Sequence, residues 1–140
     1  MIKIKPYFAS FPTLGGILHA GIGIYFVFLR PPLLPEDSKY IGFSLSAIQN
    51  NIPGLSVWLK KVFCVMGAYI FTTGLLTIHI AQTSFPTITP GAFIMVLIAG
   101  ITSIGTMTIV NFILQSDFKW VLLALTLPWS IALILYLFNK

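Results

Sequence analysis

The sequence predicts an all-α integral membrane protein: a four-helix up-down bundle with a short interfacial helix between the first and second spans. Three observations predict it. Of the 140 residues, 57% are hydrophobic and only 8% are charged, against roughly 25% charged in soluble domains. The apolar residues gather into four stretches, each near the ~20 residues that cross a bilayer. Inside their apolar cores, the second of which runs from Val62 to Ala81, no Asp, Glu, Lys or Arg occurs, and His19, His79 and Asn111 are the strongly polar residues present.

The first span is expected over about residues 14–29, after a basic tail (Met1 to Phe11) and Pro12-Thr13. Its glycines, Gly15, Gly16, Gly21 and Gly23, would weaken a helix in water. In lipid the backbone must bond within itself, so the helix persists and the glycines allow close approach of a neighbour. The two lysines before this span superficially resemble a signal peptide. The run ends at Arg30-Pro31-Pro32 rather than at a small-residue cleavage site, so it reads as a retained span.

Three prolines in Arg30-Pro31-Pro32-Leu33-Leu34-Pro35 end that span. Glu36 and Asp37 then supply the acidic first turn of a new helix over about residues 35–50. Ile41, Phe43, Leu45 and Ile48 alternate with Ser44, Ser46, Gln49 and Asn50, a pattern suited to lying along an interface. After a break at Asn50-Asn51-Ile52-Pro53-Gly54, the second span is expected over about 57–81. The third follows over about 91–114. The turn Gln115-Ser116-Asp117-Phe118-Lys119 leads to the fourth over about 120–138, where Pro128 predicts a kink. Short links force antiparallel neighbours, and the whole chain forms one membrane domain.

The net charge is +5. Arg30, Lys60, Lys61 and Lys119 flank apolar segments beside Trp58 and Trp120, which is the pattern of lipid-headgroup anchoring rather than nucleic-acid binding. Tyr7, Phe8, Phe11, Tyr40, Tyr136 and Phe138 extend this aromatic belt at the span ends. One face of the membrane receives Lys3, Lys5 and Lys140; the other receives Arg30, Lys39, Lys60, Lys61 and Lys119 with all three acids. This count favours the second face as cytoplasmic, while the first span alone is nearly balanced, so orientation stays open. The lone cysteine, Cys64, forms no internal disulfide and reads as a small hydrophobe.

His19 and His79 fall at similar depth in antiparallel spans. Gly15, His19 and Gly23 share one face; Ala68, Thr72, Leu75 and His79 share another. If those faces meet, the histidines form a candidate pair of axial ligands for haem b, or a quinone contact. The structural alternative is an imidazole hydrogen-bonded to a neighbouring hydroxyl or carbonyl. Metal binding is not expected, since two histidines without carboxylate or thiol partners fall short of zinc's four ligands. A second polar face, Thr108, Asn111 and Gln115, reads as helix–helix glue or as a ligand contact. The small-residue spacings Gly16-xxx-Ala20, Ala68-xxx-Thr72 and Ala99-xxx-Ser103 read as packing or partner surfaces. There is no phosphate loop, nucleophile elbow or paired carboxylate, so no catalytic residue is assigned.

Leu29-Arg30-Pro31-Pro32-Leu33-Leu34-Pro35-Glu36-Asp37 with Tyr40-Ile41-Gly42 resembles a group of small uncharacterised bacterial membrane proteins. Gly74-Leu75-Leu76-Thr77, Asn111-Phe112 and Ser116-Asp117-Phe118-Lys119-Trp120 carry the same resemblance. It implies four spans, a bacterial cytoplasmic (inner) membrane and no known activity. It also implies that the proline-acid loop and the Ser-Asp-Phe-Lys-Trp turn are built features on one side of the membrane. There Arg30 or Lys119 is expected to pair with Glu36, Asp37 or Asp117. The leading functional expectation is a non-enzymatic accessory or scaffold subunit that packs against other membrane subunits, with lipid as its other partner and no cofactor. A haem- or quinone-binding electron-transfer component using His19 and His79 is the alternative. A small lipid-ligand or solute transporter is a second.

Overall fold

The computed structural model describes residues 9–138, and these are helical throughout with short links. We number the helices α1 (Ser10–Phe28), α2 (Pro35–Ile41), α3 (Leu45–Asn51), α4 (Pro53–Thr83), α5 (Ala92–Ile113) and α6 (Lys119–Phe138). The helices α1, α4, α5 and α6 are long and apolar enough to cross a membrane. The tail lysines Lys3 and Lys5, the aromatics Tyr7 and Phe8, and Lys140 lie outside the described residues.

Helix α1 begins four residues before its expected start. Pro12 falls in its first turn, where a proline lacks no needed donor. Helix α4 is longer than expected, at 31 residues, or about 46 Å at ~1.5 Å per residue. It exceeds the ~30 Å apolar thickness of a bilayer.

The expected single helix over 35–50 is two. Gly42 adopts φ +81° and closes α2, a conformation that costs glycine little. Ser44 then caps α3 by accepting a hydrogen bond from the Ala47 amide at 3.1 Å. Both long C-terminal helices are interrupted. α5 widens to a π turn over Ile101–Gly105, and α6 breaks its regular pattern at Thr126, two residues before Pro128.

Antiparallel order follows from the contacts. A Cβ placed on Gly16 would meet Gly74 and Ile78, and one on Gly23 would meet Phe71. The reciprocal positions, Gly67 and Gly74, would meet Gly23, Val27, Gly16 and Ala20, mostly through backbone atoms within 3.0 Å. Four glycines, two per helix and each pair seven residues apart, therefore seat α1 and α4 backbone against backbone. The α5–α6 pair packs differently, through large side chains. Phe85, Val96, Ile104, Trp129, Ala132 and Tyr136 form its buried core, with the Tyr136 ring tilted against Phe85 and Phe93 at 4.7 and 5.5 Å. This core occupies the end of the molecule that holds the 84–91 link. The other end, under α2 and the 114–118 turn, is hollow.

Candidate functional site

A cavity of about 730 Å³ separates the α1–α4 pair from α5 and α6. Such a volume lies within the ~300–1,000 Å³ of small-molecule sites. Its walls are mainly apolar: Ile22 and Phe26 from α1, Phe63, Met66 and Ile70 from α4, Met107 and Val110 from α5, and Val121, Leu122 and Leu125 from α6. The two contacts that bound α1 are built from unlike materials: glycines seat α1 against α4 backbone to backbone, whereas α6 meets α1 through the Trp129 ring, which packs on Gly15.

Trp129 forms the support beneath the cavity. Its indole lies against Gly15 of α1 and Gly100 of α5, where added Cβ atoms would come within 2.9 and 3.0 Å of the ring. It also meets the His19 imidazole edge-on, with ring centroids 6.2 Å apart. His19 lines the cavity at this level and is only 1% exposed. Both of its ring nitrogens are buried without a hydrogen-bond partner among the described residues. The π turn of α5 contributes Thr102 and Ser103, followed by Thr106, to the cavity wall. Their hydroxyls donate to the Ile98, Ala99 and Ile101 carbonyls of their own helix. π turns of this kind recur at functional sites.

The opposite end is polar. Arg30 pairs with Asp37 at 3.6 Å, and its guanidinium lies 3.6 Å from the Phe63 ring centroid and 5.3 Å from that of Phe26. Burial lowers the Arg30 pKa from its ordinary value, with Asp37 opposing that shift, but an arginine remains charged at any physiological pH. Asp37 also accepts a hydrogen bond from the Leu34 amide at 2.8 Å, which fixes the start of α2. Glu36, one residue earlier, is buried and accepts a hydrogen bond from the Ser116 hydroxyl at 3.0 Å. Ser116 in turn accepts from the Phe118 amide at 3.2 Å. Gln115 takes φ +51° in this turn, an uncommon backbone for a non-glycine residue, and the next residue is the buried Ser116. Thus the proline-acid loop and the Ser-Asp-Phe-Lys-Trp turn join over the cavity.

The other sequence-derived residues are distributed as follows. His79 is exposed and does not line the cavity; Ala68, Thr72 and Leu75, on its face, are exposed too. The haem pairing required that face to meet α1, but α1 sits instead on Gly67, Phe71, Gly74 and Ile78. The structure therefore does not bring His19 and His79 together. A haem or quinone site built on both would need them in one space. Gly15, Gly16, Ala20 and Gly23 lie in the α1 contacts with Trp129 and α4, while Ala99 and Ser103 are half-buried on α5. The polar triad divides. Thr108 is buried and donates to the Ile104 carbonyl; Asn111 lines the cavity while its amide donates to Met107; Gln115 is exposed and accepts from Lys119 at 2.8 Å. Among the expected ion pairs, Arg30 takes Asp37, while Lys119 reaches Gln115 rather than an acid. Trp58, Trp120 and Lys60 to Lys61 are on the outside or partly so. Among the described residues, no three His, Cys, Asp or Glu side chains gather as a metal site.

Sequence reasoning missed the glycine pair Gly67 and Gly74, the Trp129 ring between Gly15 and Gly100, and the buried bond of Ser116. The first had a visible signal, since the pair repeats the seven-residue spacing of Gly16 and Gly23. Compared with protein-family models, curated proteins and solved structures, the chain finds no match.

Proposed function

We propose that this chain is an integral membrane protein that binds a lipid or lipid-like small molecule within its helix bundle. The observation that carries this reading is the cavity of about 730 Å³, apolar along its walls and polar at one end. Four long apolar helices support the membrane setting. So does the exterior, which presents Ile17, Ile24, Tyr69, Leu76, Ile94, Ile109 and Ile134 at about half exposure or more. Such a surface is costly in water and ordinary in lipid. The assignment to a bacterial cytoplasmic membrane rests on the sequence resemblance. The interrupted helices α5 and α6 resemble the broken helices that line transporter sites, so carriage of the ligand is a natural extension of holding it.

Photocrosslinking tests the reading. A photoreactive fatty alcohol added to the purified protein should label Ile22, Met107 or Leu122, and excess unlabelled fatty alcohol should suppress that label. Labelling confined to outward residues such as Leu76 and Ile109 would mean that the ligand merely coats the protein.

One observation favours the accessory-subunit reading as a second. Cys64, Ala68 and Thr72 make an exposed small-residue row on α4, spaced as helix–helix contacts are. Isolation from native membranes in mild detergent, followed by mass spectrometry, should then recover a stoichiometric protein partner, and Ala68→Leu should release it. A protein that comes away alone removes this second reading.

A further inference from the structure

His19 is the best-defined unanswered group in the molecule. It is 1% exposed, lines the cavity, and has neither ring nitrogen engaged by any described residue. A neutral imidazole carries one donor and one acceptor, and buried polar atoms are normally satisfied. His19 stands nine residues before the end of α1 at Phe28, roughly 14 Å of helical rise, and Arg30 follows just beyond that end. Ile22 and Phe26 line the wall between them, so the unpartnered imidazole stands across an apolar wall from the polar Arg30 end.

We infer that the ligand is an elongated, neutral molecule polar at both ends, with a terminal hydroxyl or carbonyl that hydrogen-bonds to His19. This rests on the cavity-binding reading above and adds the chemical class. An ordinary phospholipid with its headgroup beside Arg30 would bring only the methyl end of an acyl chain to His19. A molecule with a second oxygen at the far end satisfies the imidazole. Neutrality follows from the polar end, where one guanidinium faces two carboxylates, Glu36 and Asp37. Arg30 is already engaged by Asp37 and by the Phe63 ring, which leaves no free cation there for an anionic headgroup.

The test compares dodecane-1,12-diol with dodecan-1-ol, which differ by one terminal hydroxyl. Each competes against the photoreactive fatty alcohol on wild-type protein, His19→Phe and His19→Gln. The expected result is that the diol-to-alcohol affinity ratio falls about five- to ten-fold in His19→Phe, the size of one hydrogen bond, and is largely kept in His19→Gln. Comparing ratios cancels the diol's better solubility. An unchanged ratio in His19→Phe overturns the inference, and then a bound water or nothing serves His19. Should His19→Phe fail to fold, the imidazole nitrogen resonances of wild-type His19 provide the same discrimination. They should shift with the diol and not with the alcohol, and equal shifts overturn the inference. A cavity-filling variant, Leu125→Trp, separates the two readings. If it blocks both alcohols while the ratio ignores His19, the cavity reading stands and this inference falls. If it blocks neither, both fall.

Discussion

The Ser116 hydroxyl donates to the Glu36 carboxylate across 3.0 Å and 80 residues of sequence. This bond ties the loop after the first long helix to the turn before the last one. Both residues are buried, and both line the polar end of the cavity. The two segments that the sequence marks as distinctive are therefore joined where a ligand would enter or rest.

Ser116→Ala should lower stability by ~1–3 kcal/mol, since it leaves a buried carboxylate short of a donor. Thermal unfolding in detergent checks this. Ser116→Thr keeps the hydroxyl and should lose less. Equal losses for the two would assign the effect to packing rather than to the bond.

The glycine contacts predict a sharp contrast. A methyl group at Gly74 would lie 2.6 Å from the Ala20 nitrogen, while one at Gly21 would meet nothing within 4 Å. Gly74→Ala should cost ~1–3 kcal/mol through forced helix separation. Gly21→Ala should be neutral or stabilising by up to ~1 kcal/mol from the gain in helix propensity. Unfolding of both variants in one detergent gives the comparison, and similar behaviour would contradict the close α1–α4 contact.

Much of the helix arrangement was legible in the sequence, because apolar length and proline breaks act locally. Four long helices appear near their expected positions for that reason. The hollow between the helix pairs was not legible. It depends on Trp129 filling the space between Gly15 and Gly100, and those three residues come from three different helices. The failed pairing of His19 with His79 has a related cause. Depth along a helix can be read from residue count, but the rotation of α4 is set by which of its faces carries glycine. Ala68, Thr72 and His79 suggested one face; Gly67 and Gly74, one residue round, decided the other. Glu36 reads from the sequence as a first-turn acid and a candidate partner of Arg30 or Lys119, since nothing local reveals that the Ser116 hydroxyl will lie over it.

Arg30 is held by a ring face as well as by a carboxylate, so lysine should not replace it. Arg30→Lys keeps the charge yet loses the planar stack on Phe63. It should cost ~1 kcal/mol or more, given the ~0.5–2 kcal/mol of a cation–π contact. Combining it with Phe63→Leu provides a double-mutant cycle. Strict additivity of the two losses would show that the stack contributes nothing.

The membrane setting predicts where a probe meets lipid. In a Cys64→Ser background, a spin label at Leu76→Cys lies on an outward position of α4 that is 58% exposed. After reconstitution it should collide with dissolved oxygen and be shielded from a water-soluble nickel chelate. Ready collision with the chelate would contradict the placement of α4 across a bilayer.

The most direct measurement extracts the protein with its surrounding lipid in polymer nanodiscs and identifies the small molecules that remain after exchange into detergent. Wild-type protein should retain one class of elongated apolar molecule at near-stoichiometric amount, and Leu125→Trp, with the cavity filled, should lose it. Identical small-molecule content in the two proteins would contradict a ligand-binding cavity and leave the hollow as a feature of packing alone.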